Sequence, residues 1–489
     1  MPQVPVKTGY QSLGWSKNKK ASKADYKAGQ NVTVSKTLTL YAVYKKLPYT
    51  VTFNNNNGTS TSKIYTSLTM YASKNQKVTL PDVPKVKGYT NLGWTTEKGE
   101  TELEYSAGDT VKITKATQFY AVRRKSNYYT VSYYLGNGST NAAYQKLTQT
   151  VEEGTVVIFA KVPARTGYVN QGWSSKKNSE KATAKAKCTV NKNITLYAVQ
   201  KKAVQLTFHR CDGSTWQKTT LAKGSSYSLP GVRDAEGYTF MGWSTKPMQS
   251  VSPQYEAEEK ITVNGNVDLY AVVFNRTTET DLTEDQLPQV DIYKYKQVIF
   301  VGDSRTEFME NVLTGMGESA TKNVKFVCSA GKGLDWFTTT GWAQLYSIVQ
   351  HDSNSILSKK TAVIFNFGVN DLSKSADYAE YYNWIAPQLK SKGCELYFMS
   401  VNPVNRLMLP NAGRADRSEA AVRSFNQYMK ANLSSAYTYI DMYSYLKSTG
   451  YSFASDHYGT GTVDDGLHYT TRTYKRIFAK CMDSLRVPA

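Results

Sequence analysis

The sequence contains few cysteines and few histidines for its length. Its 489 residues include four histidines and five cysteines. The cysteines are widely spread, at Cys188, Cys211, Cys328, Cys394 and Cys481. No CxxC pair occurs and no histidines cluster at metal-ligand spacing, which argues against a disulfide scaffold and against a zinc site.

Long apolar runs are also absent. No stretch of 18 or more apolar residues occurs, so the sequence contains no candidate transmembrane helix. Residues 1–30 lack the apolar segment of a signal peptide. These two observations fit either a cytoplasmic protein or a part of a longer precursor.

Acidic residues are scarce in the first 275 residues. This region has 37 Lys and Arg against 17 Asp and Glu, a net charge of +20, whereas the rest of the chain is close to neutral at +1. A chain of 489 residues is too long for a single core, so we expect several domains of different character. A large field of one sign can attract anionic polymers, although a solvated surface is the simpler explanation.

A fourfold repeat occupies this basic region. In each unit Gly-Tyr is followed by Gly-Trp-Ser or Gly-Trp-Thr and then by LYAV or FYAV, with tryptophans at Trp15, Trp94, Trp173 and Trp243. The alternating pattern Tyr49–Phe53, and its counterparts in units three and four, predicts half-buried strands. A spacing of 70 to 79 residues indicates small tandem domains, and the fixed place of the tryptophans predicts that they form the cores.

The first unit lacks the opening strand of the other three. A sheet without this strand exposes an edge, so we expect the sequence to begin within a repeat. The predicted boundaries are a partial repeat at 1–46, repeats at 47–125, 126–201 and 202–275, a linker at 276–291 and a last domain at 292–489. The linker is acidic and Thr-rich and has no helical or strand period.

The four units resemble the internalin-type B repeat, also called the Listeria-Bacteroides repeat. The resemblance covers residues 1–275 and rests on the GY…GWS…LYAV pattern. It implies a small β-rich, ubiquitin-like (β-grasp) fold for each unit and a secreted or cell-surface protein of Gram-positive type, with a signal peptide upstream of residue 1. In that setting the basic repeats would bind an anionic cell-wall polymer or polysaccharide, and nucleic acid is not an expected partner.

The last domain alternates strands and helices. Apolar runs predict five strands, at Val298–Val301, Val324–Cys328, Ala362–Phe367, Glu395–Val401 and Tyr437–Ile440. Helix-compatible segments lie near residues 335–351, 374–391, 415–433 and 470–486. This alternation is typical of a three-layer α/β sandwich with a parallel sheet. Ligands of such sheets bind outside the carboxyl ends of the strands.

Two polar segments in this domain are candidates for catalysis. Ser304 directly follows the first strand, in Gly302-Asp303-Ser304-Arg305, which taken alone is also an ordinary turn and helix N-cap sequence. Asp465 precedes His468 by three residues. An Asp so placed can accept the ring Nδ1–H while Nε2 faces a nucleophile.

Together these segments resemble the SGNH, or GDSL-type, hydrolase family over residues 292–489. The matching motifs are GDSR at 302–305, a glycine turn at Gly331, GVND at 368–371 and DGLH at 465–468. The resemblance implies a flavodoxin-like fold with a five-stranded parallel sheet and a serine esterase that forms an acyl-enzyme without metal or cofactor. It implies Ser304 as the nucleophile, His468 as the general base and Asp465 as the residue that orients His468.

The same resemblance implies an oxyanion hole. Its donors would be the backbone N–H groups of Ser304 and Gly331 and the side-chain amide of Asn370. The family often has Asn before the glycine of its second motif, whereas this turn is SAGKG, so Gly333 is an alternative donor. Arg305 stands where the family commonly has Leu, and it either pairs locally or holds an acidic group beside the ester. Asp303, Arg305 and Gly333 are therefore candidate substrate-binding residues.

The leading hypothesis is a secreted esterase that removes acetyl or other short acyl groups from a carbohydrate. No hydrophobic flap suited to a lipid lid is evident in the sequence, which favours carbohydrate over lipid. A lysophospholipase or thioesterase of the same family is one alternative, and a surface adhesin with a vestigial hydrolase domain is another. The presence of all four motif residues, Ser304, Asn370, Asp465 and His468, argues against the vestigial domain.

Overall fold

The structure, a computed structural model, describes most of the chain. The described residues are 1–57, 62–291, 294–350, 360–453 and 464–485. They form two compact units. The first comprises residues 1–165 and 170–200, and the second comprises residues 166–169 and 201–489.

The first two repeats are built from short strands. In the first repeat β1 (Tyr10–Ser16) pairs antiparallel with β2 (Tyr41–Lys46). The second repeat contains β3 (Tyr49–Asn54), α1 (Lys63–Thr66), β4 (Met70–Ala72), β5 (Gln76–Thr79), β6 (Tyr89–Thr95), β7 (Thr110–Ile113) and β8 (Thr117–Lys125). Its main sheet has the order β4-β3-β8-β6, in which β3 and β8 are parallel, and β5 pairs separately with β7.

The third repeat follows the same order of elements, and the fourth, all of whose residues are described, has the strands without the short helix. The third contains β9 (Tyr128–Tyr134), α2 (Ala142–Gln145), β10 (Gln149–Glu152), β11 (Thr155–Ile158), β12 (Tyr168–Ser174), β13 (Lys187–Val190) and the first part of β14 (Ile194–His209). The fourth contains the end of β14, β15 (Thr215–Ala222), β16 (Ser225–Ser228), β17 (Tyr238–Ser244), β18 (Lys260–Val263) and β19 (Val267–Asn275). The β-rich fold class predicted for the repeats is confirmed.

The repeated tryptophan belongs to the core of each complete unit. Trp94, Trp173 and Trp243 are buried. The indole Nε1–H of each donates to the backbone carbonyl 13 residues earlier, at 2.8, 2.6 and 2.8 Å respectively. Gly93 and Gly242, which precede two of these tryptophans, sit in β-bulges with positive φ, and a Cβ at Gly93 would lie 2.2 Å from the Tyr105 carbonyl oxygen. The Gly-Trp motif therefore serves packing.

The last domain contains the predicted parallel sheet. Its strands are β20 (Tyr295–Gly302), β21 (Val324–Cys328), β22 (Lys360–Asn366), β23 (Cys394–Met399) and β24 (Tyr437–Ile440). Their order is β21-β20-β22-β23-β24 and every pairing is parallel. The five predicted strands and the α/β fold class are thereby confirmed. Because β20 lies between β21 and β22, the loops after those two strands flank the residue that follows β20.

Helices cover both faces of this sheet. They are α3 (Ser304–Thr314), α4 (Leu334–Trp336), α5 (Trp342–Gln350), α6 (Ser375–Lys390), α7 (Glu419–Asn432), α8 (Met442–Thr449) and α9 (Thr471–Ser484). Val298 and Phe300 pack with α3 and α9, whereas Ile299 and Val301 pack with α5, α6 and α7. This alternation along β20 gives the three layers and buries the strand on both sides.

Two features differ from the sequence analysis. The helix α8 was not predicted. The segment 276–291, predicted as a linker, contains short 3₁₀ turns at Arg276–Thr278 and Glu284–Gln286, and its Leu287 and Val290 are buried in the core of the α/β domain. This segment is therefore packed against the domain that it precedes.

Candidate active site

Ser304 lies at the junction of β20 and α3. Asp303 is the N-cap of α3 and accepts a hydrogen bond from the Arg305 N–H at 3.0 Å. A Cβ at Gly302 would lie 1.9 Å from Thr306 Oγ1, so only glycine fits between the end of the strand and the first helical turn. As the first residue of α3, Ser304 has a backbone N–H that no carbonyl of the helix accepts.

A chain of hydrogen bonds connects Ser304 to Asp465. His468 Nε2 lies 2.9 Å from Ser304 Oγ, and His468 Nδ1 lies 2.6 Å from Asp465 Oδ2. The other carboxylate oxygen, Asp465 Oδ1, accepts the backbone N–H groups of Leu467 at 2.9 Å and His468 at 2.7 Å. The structure thus brings Ser304 to the Asp465–His468 pair, which lies more than 160 residues further along the chain. The arrangement can pass the Ser304 proton to a neutral imidazole.

Burial and charge set the protonation states of this chain. Burial lowers the pKa of His468, and the opposing effect of Asp465 does not restore its ordinary value. Phe308 contributes to the burial, since its ring centroid lies 4.2 Å from that of His468. Burial works to raise the pKa of Asp465, but the hydrogen bonds from His468 and Leu467 outweigh it and lower that pKa. At neutral pH His468 is therefore neutral and Asp465 is charged.

The candidate oxyanion residues lie on the two loops that flank Ser304. Gly331 follows β21 with a φ of +69°, and no atom lies within 4 Å of where its Cβ would be. Asn370 follows β22, and its Nδ2 donates to the Lys332 carbonyl at 2.8 Å. Arg417 donates to Asn370 Oδ1 at 2.8 Å and to the Val369 carbonyl at 2.6 Å, which fixes the orientation of the amide.

The three candidate substrate-binding residues have contacts within the fold. The buried Arg305 guanidinium donates to the carbonyls of Asn402, Pro403 and Leu467 at 2.8 to 3.0 Å. Asp303 is buried, which raises its pKa to about 6. A Cβ at Gly333 would lie 2.4 Å from Asp371 Oδ2. These contacts favour local pairing over substrate contact for Arg305. They also favour Gly331 over Gly333 as the oxyanion donor, because Gly331 is the more open of the two glycines.

Sequence reasoning missed two arginines beside these residues. Arg414 Nη2 lies 3.3 Å from Asp465 Oδ2, and Arg417 holds Asn370 as described above. Both lie in the loop between β23 and α7. No motif or spacing marks them, because their contacts depend on how two distant loops fold together.

Two cavities border these residues. One of about 410 Å³ is lined by Val369, Asn370, Asp371, Leu372, Ser373, Arg406, Ala415, Asp416, Arg417, Ser418 and Ala421. The other, of about 430 Å³, lies between α3 and α9 and is lined by Phe308, Asn311, Val312, Gly315, Met316, His468, Tyr469, Thr471, Tyr474 and Lys475. The first is mainly polar and charged, whereas the second includes more large apolar side chains.

Neither a metal cluster nor a membrane span is found in the part of the chain that the structure describes. Among those residues, no group of three or more His, Cys, Asp or Glu could hold a metal ion. In the same residues no helix is long and apolar enough to cross a bilayer.

Comparison with protein families supports both resemblances. The family described as the Listeria-Bacteroides repeat domain matches residues 1–43, 49–122, 129–199 and 205–272. The family described as GDSL-like lipase/acylhydrolase matches residues 298–481. The second match contains Ser304, Gly331, Asn370, Asp465 and His468.

Individual relatives are distant. A protein of Evansella cellulosilytica named as a Gly-rich membrane protein is 27% identical over 274 residues, which are 54% of this chain and 30% of that protein. A second, named as a membrane protein of the same organism, is 27% identical over 50% of this chain and 35% of its own length. The chain therefore spans about a third of the curated relatives that it matches.

Solved structures that are similar to this chain include two proteins: the first is named as an acetyl xylan esterase, and the second, from Bacteroides fragilis, is named as an acylhydrolase. The first is 12% identical, with a TM-score of 0.27, and covers 39% of this chain and 100% of its own. The second is 16% identical, with a TM-score of 0.28, and covers 41% of this chain and 92% of its own. Since both TM-scores are low, the assignment depends on the family match and on the geometry of the residues themselves.

Proposed function

We propose that this chain is an esterase that removes acetyl groups from a carbohydrate. The chain belongs to the Listeria-Bacteroides repeat family through residues 1–272 and carries a GDSL-like acylhydrolase domain at residues 298–481. The observation that carries the proposal is the hydrogen-bond chain from Ser304 through His468 to Asp465. In a vestigial domain, selection would not maintain the hydrogen-bonding distances between these three side chains.

The proposed reaction uses Ser304 as the nucleophile. His468 Nε2 accepts the Oγ proton as Oγ attacks the ester carbonyl, and the imidazolium then gives that proton to the leaving alcohol. Asp465 holds the proton of Nδ1 and stabilises the charged ring. In the second half of the reaction His468 activates a water molecule, which releases the acyl group as a carboxylic acid and restores Ser304.

The tetrahedral intermediate needs donors for its oxyanion. We assign this role to the backbone N–H groups of Ser304 and Gly331 and to the Asn370 amide, which come from the loops after three adjacent strands. Arg417 and the Lys332 carbonyl hold the Asn370 amide in a fixed orientation. A donor that is already oriented costs no reorganisation during the reaction.

The polar cavity beside Asn370 favours a carbohydrate substrate. Its side chains include Ser373, Asp416 and Arg417, which can exchange hydrogen bonds with hydroxyl groups. The apolar side chains of the cavity between α3 and α9 favour the alternative, a longer acyl chain, as in a lysophospholipase or thioesterase. The two cavities therefore favour different substrates: the polar one favours an acylated carbohydrate and the apolar one favours an ester with a longer acyl chain.

A pair of chromogenic esters separates these alternatives. We expect the full chain to hydrolyse p-nitrophenyl acetate faster than p-nitrophenyl octanoate, and Ser304→Ala to hydrolyse neither. The measurement is the initial rate of nitrophenolate release at equal enzyme concentrations. A preference for octanoate would reject the deacetylase in favour of the longer-chain esterase, and equal rates for wild type and Ser304→Ala would reject the enzyme.

The pH dependence of catalysis follows from the lowered pKa of His468. The base must be neutral, so kcat/KM should be constant at neutral pH and should fall as the pH drops through a pKa below 6.5, the ordinary value for histidine. Phe308→Ala uncovers the ring, and we expect it to move this midpoint upward because less burial opposes the charge. The measurement is acetate release between pH 4 and 8, and a midpoint above 6.5 in the wild type would contradict this account.

The basic repeats suit attachment to an anionic cell-wall polymer. Their net charge of +20 over 275 residues gives the electrostatic attraction that such binding needs, and this setting implies a secreted or surface protein. Retention on isolated Gram-positive walls should weaken as salt is added, because salt screens the charges. Retention that does not change with salt would contradict this part of the proposal.

A further inference from the structure

The fourth repeat differs from the other three at two positions of one antiparallel strand pair, β17 and β19. Lys45, Arg124 and Lys201 occupy equivalent positions after the LYAV or FYAV motif in the first three repeats, and the fourth has Phe274 there. Before the Gly-Trp motif the first three repeats have Leu13, Leu92 and Gln171, and the fourth has Met241. The fourth repeat thus has an aromatic side chain at a position where its predecessors carry a charge, and Met241 at a position where they have Leu or Gln.

These substitutions coincide with packing against the α/β domain. Met241 is fully buried and Phe274 is 6% exposed, and both belong to one apolar cluster with Ile440, Leu446 and Tyr451. A Cβ at Gly450 would lie 2.3 Å from the Phe274 ring, which shows how closely the two surfaces meet. The fourth repeat and the α/β domain therefore share a core.

Polar contacts extend from this repeat to the loop after β23. Arg233 donates to the Leu407 carbonyl at 2.6 Å and to Asn411 Oδ1 at 2.7 Å. Asn405 Nδ2 donates to Asp234 Oδ1 at 2.7 Å. In addition, the buried Lys447 of α8 donates to the Met241 carbonyl at 2.9 Å.

Two of these connections continue to the turn that holds the catalytic His and Asp. Arg276 bridges Asp234, at 2.7 Å, to Asp464, the residue before Asp465. The Asn405 N–H donates to the Gly466 carbonyl at 2.8 Å, and the Asp464 side chain accepts the Gly466 N–H at 3.0 Å. Asp234 is therefore connected to the turn 464–468 at two points, through Arg276 to Asp464 and through Asn405 to Gly466.

The charge of Arg276 is needed at this position. Burial and the neighbouring Asp464 carboxylate raise the pKa of Asp234 to about 7, although Arg276 opposes them. Without the guanidinium, the buried carboxyl group of Asp234 and the partly exposed carboxylate of Asp464 would lose the cation that joins them. We expect them to separate, and Asp464 would then move Asp465 and His468 relative to Ser304.

We propose that the fourth repeat is a working part of the catalytic unit, and that Arg276 and Asp234 are positioning residues that hold the turn 464–468 in register with Ser304. This inference rests on the proposed roles of Ser304 and His468. It predicts that substitutions at the contact between the fourth repeat and the α/β domain lower catalysis, whereas substitutions in the first three repeats do not.

The test uses the full chain with Arg276→Ala and a matched control, Arg123→Ala. Arg123 is an equally well-bonded arginine, but its partners Asn55, Tyr65, Pro84 and Asn91 all lie in the second repeat. We expect Arg276→Ala to lower kcat on p-nitrophenyl acetate by about 10- to 100-fold, the cost of a small misplacement of catalytic groups. We expect Arg123→Ala to retain the wild-type kcat.

A second readout does not require turnover. The Nδ1 proton of His468, bonded to Asp465, should give a low-field proton NMR signal in histidine-labelled protein, and Arg276→Ala should shift or abolish that signal. If the wild type shows no Ser304-dependent turnover, the proposed function fails, and the NMR signal still decides the positioning role. Wild-type kcat together with an unchanged signal in Arg276→Ala would overturn the inference.

Two further variants guard against simple misfolding. Arg276→Lys keeps the charge and should retain more activity than Arg276→Ala. Adding Asp234→Asn to Arg276→Ala removes one of the two facing carboxylates, so the double variant should recover part of the lost kcat. If the double variant is less active than Arg276→Ala, the electrostatic explanation is wrong.

Discussion

Ser304→Ala is expected to lower kcat by about five to six orders of magnitude, the loss that follows removal of the nucleophile in a serine hydrolase. Alanine leaves His468 without the Oγ that lies 2.9 Å from its Nε2, so no acyl-enzyme can form. Because the substitution removes only one oxygen atom, the unfolding temperature should stay close to that of the wild type. The measurement is kcat on one ester substrate for the wild type and for Ser304→Ala.

The matched control for this prediction is Ser434→Ala. Ser434 is an exposed serine in the turn before β24, far along the chain from the three candidate residues. Its loss should leave kcat unchanged. If Ser304→Ala retained more than about a hundredth of the wild-type rate, far more than a site without its nucleophile should show, Ser304 would not be the nucleophile.

Asp465→Asn is expected to lower kcat by about four orders of magnitude. Asp465 Oδ1 accepts two backbone N–H groups, so an asparagine would keep its carbonyl oxygen there and turn its NH₂ toward His468 Nδ1. Nδ1 would then have to accept, and the ring proton would move to Nε2. An imidazole in that tautomer cannot take the Ser304 proton.

Asp483→Asn on α9 is a suitable control, since Asp483 is exposed and lies outside the proposed site. It should show the wild-type kcat. The variant Asp465→Asn should also show a lower His468 pKa, because burial would no longer be opposed by a carboxylate. Unchanged kcat in Asp465→Asn would show that His468 does not depend on this partner for its tautomer.

The sheet was predictable from the sequence because each strand of the parallel sheet contains a short run of mainly apolar residues. Val298–Val301 is bounded by glycine and is buried on both faces, as its pattern indicates. Helix α8 was missed because Met442–Thr449 is short and mixes Tyr, Ser and Lys with its apolar residues. The packing of residues 276–291 was missed because Leu282, Leu287 and Val290 stand isolated in an acidic segment and show no helical or strand periodicity.

The candidate site was predictable as far as motifs reach. The DGLH motif implied the contact between Asp465 and His468, and the resemblance to the hydrolase family implied Gly331 and Asn370 as partners of Ser304 in an oxyanion hole. The role of Arg305 was left open because its partners, carbonyls of residues 402, 403 and 467, are distant in sequence. The contact of the fourth repeat left a signal that comparison of the repeats would have revealed, namely Phe274 in place of Lys or Arg.

The most direct test of the central claim is to trap the nucleophile. The full chain would be treated with a fluorophosphonate, which phosphonylates an activated serine, and the modified peptide would be identified by mass spectrometry. We predict one adduct per chain, on Ser304, at a rate that falls with His468→Ala. No adduct, or an adduct on another serine, would contradict the account.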